Sequence, residues 1–143
     1  MRIDHEQVSR AFERFTSNYD ASNPKVALKI KHTLKVADLC KHIAASEGMD
    51  ASMQKLAWLS GMLHDIGSFE QIAKYDAFSD ANTLDHAALS AQLLFDEGML
   101  SQFCDSSSFT SEDVRALKTA IALHSASKVP DTLTANEQVL CDL

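Results

Sequence analysis

The chain has 143 residues, of which 45% are apolar and 23% are charged, a composition typical of one globular domain with a substantial core. Its formal net charge of −7 argues against a nucleic-acid backbone or an anionic membrane as the main partner. The three cysteines (Cys40, Cys104 and Cys141) lack disulfide spacing, and no leader or membrane-length apolar run is visible, so we expect a cytoplasmic protein with reduced thiols.

Apolar residues recur at steps of three and four along a chain that has only 4 Gly and 2 Pro, which predicts an all-α fold of about six or seven helices. The first helix begins at Asp4, which has capping-box spacing to Gln7. The second helix has Asn23 as its N-cap, Pro24 at its first helical position and Gly48 as its stop signal.

The third predicted helix contains a run of apolar residues before the His64-Asp65 pair. It is capped by Asp50 and ends around Gly67. A short helix then holds Phe69, Ile72 and Tyr75, and a polar loop follows it.

Three more helices are predicted in the second half of the chain. The first has Asp85 as its N-cap and Gly98 as its stop, the next has Ser111 as its N-cap, and the last begins near Thr134. Because the chain ends within this last helix, we expect residues 1–143 to form a single domain that lacks its C-terminal helical remainder.

Six histidines are present, and they fall into two groups. His5, in the first turn of a helix, and His42, next to Lys41, are expected to be solvated. His32 lies in the middle of the second helix among apolar residues. Taken alone, such a histidine is more often a hydrogen-bonded core residue than a metal ligand.

The remaining histidines lie at helix ends. His64 and Asp65 close the third helix after an apolar run, and His124 closes another helix, where unpaired carbonyl groups favour a cation. His86 lies at a helix N-terminus, where backbone N–H groups favour an anion. Burying these groups together with His32 is costly unless something pairs them, and a divalent cation does so. The pattern therefore predicts a metal site.

Four stretches of the chain carry these residues in order: KHTLKVADLCKHIA, LAWLSGMLHDIGSFEQ, YDAFSDANTLDHAALSAQLLFDEGML and AIALHSASKVP. Together they resemble the HD-domain metal-dependent phosphohydrolase superfamily, in particular small bacterial HD-domain proteins. The resemblance implies an HD-domain helical bundle in which His32, His64 and Asp65 bind one divalent metal ion. It also implies that His86 and His124 bind a second ion or the substrate phosphate, and we expect His86 to face the phosphate at least as much as a metal ion.

Two positions depart from the family pattern or leave it incomplete. The family completes its site with an Asp on a late helix, which is either Asp142 or a residue beyond Leu143. Close relatives often carry Lys or Arg where this chain has Ser68, and a serine offers a phosphate only a neutral hydrogen bond. Lys35, one turn after His32, is a candidate substitute, although a solvated lysine is the plainer interpretation.

The leading hypothesis for function is hydrolysis of a phosphate ester, as a phosphomonoesterase or phosphodiesterase, in a nucleotide or another small phosphorylated metabolite. The resemblance implies water activated by one or two divalent ions, with Mn, Mg, Zn, Fe, Co and Ni all open, and Asp65 as the catalytic metal ligand. Two alternatives remain: a binding or regulatory module without turnover, and an oxygenase with two irons.

Overall fold

The computed structural model describes residues 3–76 and 85–124, which form α-helices joined by turns. The helices in these ranges are α1 (His5–Thr16), α2 (Pro24–Ser46), α3 (Ala51–Leu63), α4 (Ile66–Tyr75), α5 (His86–Ala91) and α6 (Ser111–Leu123). A π-helical turn and two 3₁₀ turns lie between α5 and α6. No strand occurs in the described ranges, so the predicted all-α class is confirmed. None of the described helices is long and apolar enough to cross a bilayer.

Side-chain caps begin most helices where the sequence predicted them. Backbone N–H groups of the first turn donate to four predicted caps, Asp4, Asn23, Asp50 and Asp85. The predicted cap of α6, Ser111, is wrong by one residue. Thr110 is the cap, because its hydroxyl accepts from the Asp113 N–H while the Asp113 carboxylate accepts from the Thr110 N–H.

The prediction that the third helix continues to about Gly67 is wrong, because the helix breaks at the His-Asp pair. Helix α3 ends at Leu63, and Asp65 has φ −108° and ψ 18°, outside the helical region. Helix α4 begins at Ile66, earlier than the short helix predicted around Phe69. The break places the pair in a turn between two buried helices rather than in the last turn of one.

Helices α2 and α3 approach closely at two small residues. A Cβ atom added to Gly61 would lie 2.6 Å from the Ala37 Cα atom, so only glycine permits this contact without displacement. Gly61 lies three residues before His64, and Ala37 lies five residues after His32. The close contact therefore brings His32 toward the end of α3.

A second close contact joins α4 to α5. A Cβ atom on Gly67 would lie 2.5 Å from the His86 carbonyl oxygen. The Gly67 N–H donates to the Ser90 hydroxyl at 2.7 Å, and that hydroxyl donates to the His86 carbonyl oxygen at 2.7 Å. These two bonds hold the first turn of α5 against the start of α4, close to Asp65.

An aromatic cluster joins α1 to α4. The apolar side chains of Val8, Phe12 and Phe15 on α1 are buried. The Phe12 and Phe15 rings meet Phe69 edge to face, with centroids 6.1 and 5.6 Å apart. This packing fixes α4, and with it the turn that carries Asp65.

The cysteines of the described ranges behave as predicted. Cys40 and Cys104 are free and buried. Burial, and secondarily the nearby Asp105 carboxylate, raises the pKa of Cys104 to about 11, so its thiol is protonated and inert near neutral pH. The predictions for Cys141 and for a last helix from Thr134 lie outside the described residues.

Candidate metal centre

Asp65 lies at the centre of a cluster of imidazole rings and is only 2% exposed. The Nε2 atoms of His32 and His64 lie 3.2 and 3.1 Å from its Oδ2 atom. The Nε2 atoms of His86 and His124 both lie 3.3 Å from its Oδ1 atom. Each carboxylate oxygen therefore faces one pair of histidines, and the structure brings all five predicted site residues together.

The two pairs differ in their access to solvent. His64 is 12% exposed but the His32 side chain is 45% exposed, so we call His32, His64 and Asp65 Oδ2 the open half-site. His86 and His124 are 14% and 21% exposed, and with Asp65 Oδ1 they form the closed half-site. The exposure of His32 excludes its interpretation as a buried core residue, because its ring lies at the rim of the cluster.

Backbone carbonyl groups at the ends of helices orient two of the rings. His64 donates from Nδ1 to the Gly61 carbonyl oxygen at 2.6 Å, and His124 donates from Nδ1 to the Ile121 carbonyl oxygen at 2.7 Å. The last carbonyl groups of a helix lack intrahelical partners and are free to accept these bonds. Because a carbonyl oxygen can only accept, Nδ1 carries the proton, and in a neutral ring Nε2 presents a lone pair toward Asp65.

The pKa values of Asp65 and His32 are shifted toward the forms that bind metal. Burial alone would raise the pKa of Asp65, but its contacts with the His124, His64 and His86 rings, which donate to the carboxylate only when Nε2 carries a proton, outweigh burial and hold the pKa below its usual range. Desolvation lowers the pKa of His32, although attraction to Asp65 acts in the opposite direction. The carboxylate is therefore ionised at neutral pH, and His32 is favoured in its neutral form, as metal ligands require.

The donor atoms fit divalent ions in both half-sites. In each half-site the two imidazole nitrogens and the carboxylate oxygen lie within 4.8 Å of one another. In the closed half-site the Nε2 atoms of His86 and His124 lie 3.1 Å apart. Converging lone pairs repel unless a proton or a cation lies between them, and nitrogen and carboxylate oxygen are the donors of zinc and similar ions. Asp65 could thus bridge two ions, one on each oxygen.

Sequence reasoning missed one residue of the cluster, Lys29. Its Nζ atom lies 3.1 Å from Asp65 Oδ2, and its side chain is 17% exposed. Its spacing was a partial signal, since residues three apart share a helix face and Lys29 precedes His32 by three, but Lys35 follows His32 at the same spacing. The candidate lysine, Lys35, is exposed instead, and Ser68 is fully buried within α4.

A cavity of about 390 Å³ lies against the cluster, within the range of small-molecule sites. Lys29 and His32 line it beside apolar side chains such as Val36 and Ile121. Neither Lys35 nor Ser68 is among its lining residues in the described part of the chain. The cavity therefore combines a polar end at Asp65 with apolar walls.

The remaining predicted positions lie away from the cluster or outside the described residues. His5 and His42 are exposed, as predicted, and His5 stacks on Trp58 with ring centroids 3.8 Å apart. Asp142, the candidate for a late carboxylate ligand, lies outside the described residues.

Comparison with known families identifies the fold that carries this cluster. The model of the HD domain family matches residues 30–142, a span that includes Asp65 and the four clustered histidines. The chain belongs to the HD domain family. The HD dipeptide is His64-Asp65, in the turn between α3 and α4.

One curated relative matches part of this chain. It is the 3'3'-cGAMP-specific phosphodiesterase 1 of Vibrio cholerae serotype O1, which is 44% identical over 43 residues. The matched stretch covers 30% of this chain but only 10% of the relative. A comparison with solved structures gave no significant match.

Proposed function

We propose that this HD-domain protein is a metal-dependent phosphohydrolase that cleaves the phosphate ester of a nucleotide or another small phosphorylated metabolite. The observation that carries the proposal is the position of Asp65, with one oxygen toward each pair of histidines, at the end of a cavity of about 390 Å³. Two half-sites with a shared carboxylate suit in-line displacement at phosphorus, which needs both the attacking and the leaving oxygen stabilised.

The residues of the cluster have separate tasks in this proposal. His32 and His64 would hold an ion on Asp65 Oδ2, and His86 and His124 would hold another on Oδ1. Such ions, when bound, polarise phosphoryl oxygens and lower the pKa of water. The chain's own part is rigid placement, since the carbonyl bonds of His64 and His124 fix which ring nitrogen faces the centre. No nucleophilic side chain is required.

The partial relative supports a phosphate ester as the substrate class. Its name describes a phosphodiesterase, and the likeness is confined to 43 residues. The cavity adds that the substrate is small, with an anionic group for the polar end and a less polar portion for the apolar walls. Both features are met by a nucleotide, which we propose as the first class to screen.

The test measures bound metal and hydrolysis together. The purified protein is loaded in turn with Mn²⁺, Zn²⁺, Fe²⁺ and Mg²⁺ and assayed on a panel of phosphomonoesters, cyclic nucleotides and dinucleotides. We expect Asp65→Asn to lower kcat/KM by at least about a thousandfold, because it removes the negative charge that both half-sites share and replaces one of the two ligand oxygens by an amide nitrogen. Asp38→Asn, an exposed position on α2, is the matched control and should retain activity.

Other outcomes of the same test would contradict the proposal. Equal activity in the wild type and Asp65→Asn would remove the catalytic assignment. A metal-loaded protein that hydrolyses nothing on the panel would indicate a binding or regulatory module. Two bound irons per chain, with a near-visible absorption band and no hydrolysis, would indicate oxygen chemistry instead.

A further inference from the structure

Lys29 and the histidines of the open half-site share one oxygen atom. Asp65 Oδ2 lies 3.1 Å from the Lys29 Nζ atom, 3.2 Å from His32 Nε2 and 3.1 Å from His64 Nε2. The Lys29 side chain is only 17% exposed, so its ammonium group is held within the cluster rather than in bulk water. A positive charge thus lies where the open half-site would place its ion.

Lys29 also contributes a positively charged side chain to the wall of the cavity. Among the described residues that line the cavity, it is the one lysine or arginine. The chain as a whole has a formal net charge of −7, which repels an anion at long range. A phosphorylated substrate therefore depends on local positive charge at the polar end of the cavity, where Lys29 is placed to add to the charge of any bound metal ion.

An ammonium group and a divalent ion cannot both stay close to one carboxylate oxygen without strong repulsion, because the site is partly buried and poorly screened. The lysine side chain can yield, since its four-carbon stem is flexible and its charge is a point rather than a planar fork. The cavity beside Asp65 is the space into which Nζ can turn. A phosphate oxygen there would replace the carboxylate as its partner.

We propose that Lys29 has two successive anionic partners: Asp65 in the metal-free protein, and a phosphate group of the substrate when the centre holds metal. The ammonium group thereby competes with metal at the open half-site and afterwards positions the substrate. The first part is independent of the proposed function, while the second part rests on it.

Metal binding tests the first part without any catalytic assay. In calorimetric titrations with Mn²⁺ alone, we expect Lys29→Met to bind the ion at the open half-site at least about tenfold more tightly than the wild type, because a competing cation is gone. Lys35→Met removes the same charge from an exposed position on the same helix and should change the affinity by less than about twofold. Lys29→Gln is a second variant that keeps a polar end if Lys29→Met does not fold.

Phosphate binding tests the second part. With the Mn²⁺-loaded protein, we expect Lys29→Met to weaken binding of inorganic phosphate by at least about tenfold, the effect of losing one charged hydrogen bond. Lys29→Arg should restore most of the affinity, because arginine also donates to phosphate. For any substrate that is hydrolysed, the loss should be larger in KM than in kcat.

Each part has results that would overturn it. Unchanged Mn²⁺ affinity in Lys29→Met would refute the competition, and unchanged phosphate affinity would refute the phosphate contact. Equal shifts in Lys35→Met would show a general charge effect and refute both. If the Mn²⁺ and phosphate results are as expected but the wild type hydrolyses no phosphoester, the proposed function fails while the assignment of Lys29 stands.

Discussion

The two half-sites share a carboxylate but differ in their surroundings. In the closed half-site, His86 and His124 are 14% and 21% exposed, and their Nε2 atoms lie 3.1 Å apart. In the open half-site, His64 is 12% exposed, His32 is 45% exposed, and the Lys29 Nζ atom lies 3.1 Å from the carboxylate oxygen. The same type of donor set is thus enclosed on one side of Asp65 and accessible on the other.

If the proposed function is correct, this difference would make one half-site the tighter metal site and the other the side that contacts substrate. Charges attract more strongly where solvent is excluded, so we expect the closed half-site to bind its ion more tightly. The histidines of both half-sites line the cavity, but only the open half-site has an exposed histidine and the lysine. We therefore expect ion exchange and substrate contact on this side.

The largest expected effect comes from removing the residue that both half-sites share. A divalent ion present at 100 times its Kd should stabilise the wild type by about 2.7 kcal/mol for each occupied site. Asp65→Ala should show almost none of this stabilisation in thermal unfolding with and without Mn²⁺. A metal-dependent rise in Tm that survives the substitution would show that the ions bind elsewhere. Asp38→Ala, on the exposed side of α2, is the control.

The next effect separates the half-sites. His124→Ala and His32→Ala should each reduce the metal content from two ions to one, with a loss of about 2.7 kcal/mol of metal-dependent stability at the same excess of ion. We expect the ion that remains in His32→Ala to be the tighter one, because the closed half-site is intact. Metal analysis after dialysis measures which variant retains its ion longer. If His32→Ala loses its remaining ion more readily than His124→Ala does, the closed half-site is not the tighter one.

A third effect acts through the backbone contacts that bring each half-site together. Gly61→Ala would push α2 from α3 at Ala37, and Gly67→Ala would push α5 from α4 at the His86 carbonyl. We expect each to cost about 1–3 kcal/mol of unfolding free energy, measured by urea denaturation. Gly61→Ala should weaken the open half-site and Gly67→Ala the closed one, so each is the control for the other. Weaker metal binding at both half-sites in either variant would show that the half-sites are not positioned independently.

The sequence predicted the elements of this fold better than the side-chain environments of its site. Capping residues such as Asp50 and Asp85 identify helix starts because their chemistry is local. The break at Asp65 was missed, because the apolar run continues on both sides and periodicity carries no information on one residue's backbone angles. Lys29 was missed for a related reason: a lysine that faces a cavity and a solvated lysine have the same local pattern, and only the packing of α2 on α3 separates them.

The smallest expected effect tests the hydroxyl bridge beneath the closed half-site. Ser90 is fully buried, accepts from the Gly67 N–H and donates to the His86 carbonyl oxygen. Ser90→Ala should cost about 1 kcal/mol of unfolding free energy, since a buried N–H loses its acceptor. It should also lower the metal affinity of the closed half-site severalfold, because the first turn of α5 positions His86. The metal affinity of the open half-site should be unaffected. Ser9→Ala removes the same kind of bond, from a hydroxyl to the carbonyl oxygen four residues earlier, at an exposed site and is the matched control. A loss of stability without any change in metal affinity would show that the bridge supports the fold but does not position the ligand.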